Sequence, residues 1–314
     1  MSEKQKTNQE QKVHFNCRRR GVGLITFEVT NGCANVDPDG GGAPRFDVDG
    51  TGLVSNVKIK RLCRDIIDNS ECIERNEILE MMGIPLDTSW LKIFESKANR
   101  NDWVKVRQLC AEVHQNPETA NLFSFYDVNI FGAMVLPEKQ GKLENHTVTY
   151  RGPVQIAWGN SIRPISLMGS QGQTLTRITG VSEDKKSGMA PCGIQNVRHA
   201  VYAHPFYYSP SDGVKCKMTD QKLELCIRIL AIISCIKSTR NCQWDVLSCW
   251  YAQHKNAVGS FRDREFIQAM SPKAMTDPKE STVSLDQYKI PTCAPEGLLN
   301  AAEWIEDFSM PSVL

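Results

Sequence analysis

Along residues 23–29 the apolar positions recur with a period of two, Ile25, Phe27 and Val29 alternating with Leu24, Thr26 and Glu28. This predicts a strand of a sheet with one face buried and the other free for a partner. A glycine- and aspartate-rich loop over 31–52 follows, then a helix over 54–67. At about 100° per residue, Ile59, Leu62, Cys63, Ile66 and Ile67 gather on one half of that helix, and Lys58, Lys60, Arg61 and Arg64 on the other. Residues 71–125 carry broken helical patterns, one built on Ile73, Ile78, Leu79 and Met82, another on Trp103, Val106, Leu109, Cys110 and Val113. Gly83, Pro85 and Pro117 punctuate them, as expected of an insertion beside the core. Strands are expected over 127–136, 152–159 and 161–167, the last with an edge-type Pro164, and again over 198–208 and 245–252. Thr219 and Asp220 open a helix over 221–238 that is apolar nearly all round, and a short helix is expected over 296–308.

With the insertions set aside, the order strand, helix, strand, strand-rich middle, helix, strand is that of the split βαβ or ferredoxin-like α+β fold. Its nucleic-acid-binding version places RNA across the open face of the sheet. Residues 168–197, rich in Gly, Ser, Thr and Gln around Lys185 and Lys186, read as an exposed loop or extended hairpin.

The loop over 31–52 is the first candidate for chemistry. Gly40, Gly41, Gly42, Gly50 and Gly52 allow backbone N–H groups to approach an anion, so a strand leading through this loop into a basic helix suits a phosphate. Calcium does not fit: a twelve-residue loop counted from Asp47 ends at Lys58 and one from Asp37 at Val48, where a bidentate Glu is required. The Gly-Lys-Ser/Thr ending of a P-loop and the glycine spacing of a dinucleotide fold are both missing, which argues against ATP and NAD.

At 314 residues the chain has ample length for a core without staples. The most apolar run, 225–236, is too short for a bilayer and is interrupted by Arg228, and the first 20 residues are unlike a signal peptide, so a cytoplasmic protein without a membrane partner is expected. The 12 cysteines form no C-x-x-C pair, so neither zinc nor a redox pair is indicated, and no cofactor is expected. The 6 histidines show no triad or metal spacing, and His199 and His204 read as structural. The formal net charge is only +1, but residues 1–20 carry a net of +4 and residues 262–314 a net of −4. A basic head and an acidic tail suit head-to-tail association of copies.

Together these motifs resemble a known family. Asp37-Pro38-Asp39, Ala43-Pro44-Arg45, Gly52-Leu53-Val54-Ser55 and Lys60-Arg61-x-x-Arg64, then Asp127-Val128-x-x-Phe131-Gly132-Ala133, Gly152-Pro153-Val154-Gln155, Ser161-Ile162-x-Pro164-Ile165 and Thr176-Arg177, occur in the family's order. Over roughly residues 23–261 the chain resembles the crRNA-binding backbone subunit of type I CRISPR Cascade effectors, in the RAMP superfamily, closest to the I-C and I-B branches. Arg163 stands where that family usually has an acidic residue.

The resemblance implies a right-hand shape: a basic flexible arm (1–21), a modified ferredoxin-like or RRM-like palm (22–70, 126–168, 198–261), a helical finger insertion (71–125), a thumb hairpin (169–197) and a C-terminal extension (262–314). It further implies a non-catalytic protein whose copies line a crRNA head to tail with other Cascade subunits and present the guide to target DNA or RNA. The residues expected at RNA are Lys58, Lys60, Arg61, Arg64, Gly50, Gly52, Arg163, Thr176, Arg177, Arg198 and Met168. Two alternatives stand beside this reading: a RAMP endoribonuclease cutting target RNA with Asp37 or Asp39 and a divalent ion, and a monomeric RNA-binding module.

Overall fold

The computed structural model describes residues 14–96, 121–135, 148–169, 171–176, 189–236 and 243–309. The first strand, β1 (Gly21–Gly32), leads through the glycine-rich loop into a short strand β2 (Thr51–Val54) and helix α1 (Asn56–Asp68). Ser55 caps α1, its hydroxyl accepting from Lys58 N at 3.3 Å. β2 lies where loop and helix were expected to meet; four residues are too few to display a period. α2 (Ile73–Met81) follows, with a single 3-10 turn at Ser89–Leu91.

The strand expected over 127–136 is in fact a helix, α3 (Tyr126–Phe131), running into a strand, β3 (Gly132–Val135). Val128 and Ile130 alternate with Asp127 and Asn129 as a strand would, but all four are buried, because the two polar side chains find partners inside the protein. Gly132, at φ 76°, ends the helix. A Cβ there would come within 2.1 Å of Tyr150 O, so the return strand β4 (Val148–Arg151) can approach only a glycine.

Next come β5 (Val154–Ile156) and β6 (Gly159–Pro164), which replace the single expected strand over 152–159 and its continuation. β7 (Gln171–Thr176) and β8 (Met189–Ile194) pair antiparallel as an extended hairpin outside the main sheet. β9 (Val197–Tyr208) is a twelve-residue strand, followed by the short helix α4 (Pro210–Lys215) and the apolar helix α5 (Asp220–Ala231), which ends earlier than its composition suggested and turns through a 3-10 segment, Ile233–Cys235. β10 (Trp244–His254), α6 (Asp263–Met270), β11 (Lys273–Ala274), β12 (Tyr288–Lys289), α7 (Glu296–Ala301) and β13 (Ala302–Asp307) complete the described chain. The helix expected over 296–308 therefore stops halfway, because residues 302–307 add a strand to the free edge of β10.

The main sheet runs β13-β10-β1-β9-β6-β2, with β5 also on β9, and every pairing is antiparallel. β1 is central and buried on both faces. On one side Ile25, Phe27 and Val29 pack with α1 and α5 through Ile59, Ile66, Leu223 and Ile227. On the other, Val22 and Leu24 meet Trp250, Phe266, Met270 and Leu298. The sheet face expected to lie open is thus covered by the C-terminal extension.

The basic segment before β1 is also docked. Phe15 is buried, its ring 5.0 Å from Trp304 and 5.6 Å from Phe308. Arg19 pairs with Glu303 at 2.7 Å and Arg20 with Asp263. Part of the head and tail charge expected to join neighbouring copies is therefore neutralised within one chain. Residues 1–13 lie outside the described part.

Replacing Phe15 by alanine should cost about 3–5 kcal/mol, as for a fully packed aromatic. A urea midpoint lower than that of the parent chain checks it; an unchanged midpoint would show that the segment contributes nothing to the core.

Candidate nucleic-acid interface

The glycine-rich loop folds as two successive hairpin-like turns that meet at Arg45. The first closes through Asp37 N to Ala43 O (2.9 Å) and Arg45 N to Asn35 O (2.8 Å), the second through Asp47 N to Thr51 O (2.8 Å) and Leu53 N to Arg45 O (2.8 Å). Asn35 Oδ1 accepts from both Ser55 N (3.0 Å) and Ser55 Oγ (2.8 Å), tying the loop to the cap of α1. Gly41, Gly42 and Gly50 all have positive φ, which these turns require.

The amides expected to cradle a phosphate are occupied. Gly50 N donates to Asp47 O (3.0 Å) and Gly52 N to Ser161 Oγ (2.8 Å). Gly52 is a matter of packing instead, since a Cβ there would lie 2.6 Å from Tyr202 Oη. Asp37 accepts from Asp39 N (3.3 Å) and sits 3.6 Å from Arg45, so its carboxylate helps to hold the turn. The first-turn amides of α1 at Asn56 and Val57 have no intrahelical acceptor and remain the backbone donors on offer at this end of the helix.

The four cations expected on one flank of α1 divide into two groups. Arg64 is only 7% exposed. Its Nε donates to Asp127 Oδ2 at 3.0 Å and its guanidinium lies 3.2 Å from Glu95. Arg61 donates to Asp65 (3.0 Å) and to Glu95 O (2.6 Å). Both therefore hold α1 to its neighbours, which corrects their expected exposure. Among the described residues Lys58 and Lys60 stand outside these ion pairs. Each is half-buried over an aromatic ring, Lys58 Nζ 5.9 Å from the centre of Trp244 and Lys60 Nζ 5.3 Å from that of Phe131. Burial lowers the pKa of both ammonium groups, as it disfavours charge away from water.

Lys58 borders a ledge at the end of the sheet. Trp244 lies opposite Val29 on one side and Val29 opposite Ala200 on the other; Arg198, two residues from Ala200 on β9, shares that face, the one on which α1 packs. Arg198 and Asn31 are both exposed. The hairpin starts here: Met168 N donates to Asn196 O (2.8 Å), and Asn196 Nδ2 to Asn31 O (3.1 Å). Met168 is half-buried at this base, and Thr176 lies farther out on β7. Arg177 falls outside the described residues.

Arg163 is used elsewhere. Its guanidinium donates to Thr276 O (2.8 Å) and Ala274 O (3.3 Å), clamping the segment around β11 onto β6. A cation in place of the acidic residue of the resembled family thus meets carbonyl oxygens of the tail. Sequence reasoning missed Trp158, which is 45% exposed with Arg45 Cζ 5.6 Å from its ring. An aromatic at a turn between two strands, Ala157-Trp158-Gly159, was the available signal. His199 and His204 are buried as expected. His199 bridges Thr282 Oγ1 (2.9 Å) and Glu28 Oε1 (3.1 Å), and burial lowers its pKa despite Glu28. Burial, opposed by a hydrogen bond with the Ala157 backbone, takes His204 down to about 4.

A family model described as CRISPR-associated protein Cas7 matches residues 19–292. The chain belongs to this family. The Cas7 match reaches past residue 261, the end of the resemblance read from the sequence, and takes in α6, β11 and β12, so most of the cover over the second sheet face lies within it. No curated protein matches the chain. Among solved structures, a chain of a "CRISPR RNA-guided surveillance complex, pre-nicking" is 14% identical with a TM-score of 0.39, covering 74% of this chain and 75% of that one. A chain of a "CRISPR RNA-guided surveillance complex" is 13% identical with a TM-score of 0.33, covering 73% and 68%.

Replacing Arg64 by alanine strands a buried carboxylate at Asp127 and should cost about 3–5 kcal/mol of stability. A denaturation midpoint unchanged from the parent would show that the pair carries no such weight.

Proposed function

We propose that this protein is a non-catalytic backbone subunit of a Cascade effector, whose copies lie head to tail along a crRNA and hold it by its sugar-phosphate chain. Target DNA or RNA would then be read by base pairing with the presented guide, in the company of other Cascade subunits. The observation that carries the reading is membership of the CRISPR-associated protein Cas7 family over residues 19–292. The ledge supports it locally: Lys58, the exposed Arg198 and the open amides of the first turn of α1 border one end of the sheet, where a phosphate chain can lie without entering the core. Lys60 adds a cation on the opposite flank of α1, over Phe131, and Arg45 with Trp158 offers a cation beside an aromatic face next to the loop.

The hand-like reading of the shape belongs to the same proposal. The strand order β10-β1-β9-β6, with α1 and α5 on one face, supports a ferredoxin-like palm. The β7–β8 hairpin, standing off the main sheet, suits a thumb, and α2 with its neighbouring turn suits the base of the finger insertion. In this arrangement the guide follows the ledge and the hairpin base, where Met168 can pack beside a base, because the second face of the sheet is occupied.

The test is co-expression with a crRNA of Lys58→Glu, Lys60→Glu and Arg198→Glu combined. RNA affinity should fall, and the slope of log affinity against log salt should drop by about 2, as three single-strand phosphate contacts are lost. A folded triple variant with the parent's affinity and slope would remove the ledge from the proposal. The assembled parent complex should elute as a large particle and leave a complementary RNA intact in magnesium. Elution as a monomer on RNA would overturn the filament, and regular cuts abolished by Asp37→Ala or Asp39→Ala would overturn the non-catalytic assignment.

A further inference from the structure

We propose that Cys72, Cys235 and Glu74 bind one thiophilic divalent cation of the zinc class, at a site separate from the nucleic-acid ledge. Cys72 is the residue that precedes α2 and Glu74 lies in its first turn, whereas Cys235 closes the 3-10 turn after α5. One ligand atom of each lies within 4.8 Å of the other two, and Cys72 Sγ is 3.4 Å from Glu74 Oε2. With Zn–S near 2.3 Å and Zn–O near 2.1 Å, tetrahedral ligands stand about 3.6–3.8 Å apart, so little movement separates the cluster from a coordinating geometry.

The donor chemistry selects the ion. Two sulfurs and one carboxylate suit a thiophilic metal and leave a fourth position for water, whereas magnesium and calcium need a shell of oxygens. Cys72 occupies the cap position of α2 without capping it, its thiol turned to Glu74 instead of a backbone amide. The cluster opens into a cleft of about 530 Å³ that Asp68 and Glu71 also line. Those carboxylates give a cation a path of favourable potential from solvent. The cleft sits at the far end of α1 from Lys58, about 15 Å away at 1.5 Å per residue. On binding, each thiol passes its proton to solvent and its sulfur becomes a ligand, so the ion ties the α2 segment to the end of α5.

The full chain, stripped of metal and kept reduced, is titrated with Co²⁺ and then Zn²⁺. One equivalent of cobalt should give a thiolate-to-metal absorption band that zinc abolishes, and zinc should raise the thermal midpoint. Cys72→Ser and Cys235→Ser should remove the band, while Cys293→Ser, at an exposed cysteine elsewhere, should keep it. Should the buried Cys72→Ser fail to fold, the exposed Glu74→Gln decides: its affinity should fall by at least the roughly tenfold that even an outer-shell change costs. RNA affinity should be the same in Glu74→Gln as in the parent. No band from folded parent protein at stoichiometric cobalt overturns the proposal, as does a band that survives in the double variant Cys72→Ser/Cys235→Ser. Loss of two thiols by mass with no metal retained, marking a disulfide, overturns it equally.

Discussion

A central strand buried on both faces is the constraint from which most of this structure follows. β1 contacts helices through Ile25, Phe27 and Val29 and needs a second cover for Val22 and Leu24. Gly21 and Gly23 lie where any Cβ would fall on the rings of Tyr251 and Phe206, so the strand is held between large aromatics with no room to slide. The second cover is built from α6, α7 and the segment between them, and Arg163 and His199 fasten it by hydrogen bonds to Thr276 O and Thr282 Oγ1. Once that surface is taken, a nucleic acid is left the rim of the sheet and not its face.

The same economy governs α1, which serves the interior and the surface at once. Asp127 accepts from Arg64, from Phe94 N (2.7 Å) and from Glu95 N (3.2 Å), and so locks α1, α3 and an irregular backbone segment together. A carboxylate this buried is tolerable because its lone pairs are filled from three sides. Two arginines of the Lys60-Arg61-x-x-Arg64 motif therefore act as architecture, while Lys58 and Lys60 lie half-buried over aromatic rings.

What was legible in the sequence was local and periodic. The alternation of Ile25, Phe27 and Val29, the Thr219 cap and the apolar run of α5 all appear where those patterns place them, whereas the helix expected from residue 54 starts only after its cap at Ser55. The two-sided burial of β1 was visible only as Leu24 in a row expected to be polar, too weak a sign beside Thr26 and Glu28. α3 was mistaken for a strand because Val128 and Ile130 alternate with polar residues whose partners, Arg64 and Cys216 O, come from far along the chain. The candidate site was half legible for the same reason: a basic helix flank can be seen, but whether its charges meet water, Asp127 or Glu95 depends on contacts that no short window contains. Cys72 and Cys235 escaped notice likewise, since nothing in their spacing brings α2 near the turn after α5.

The docking of Phe15 among Trp304, Phe308 and Tyr251 also orders events in time. His14 O accepts from Trp304 Nε1 across a separation of 290 residues. During synthesis this entry segment must wait, undocked, until residues near 300 have left the ribosome, and closing such a long loop is slow compared with forming local helices. Until then Arg19 lacks Glu303 and this segment stays more basic and accessible than in the folded protein.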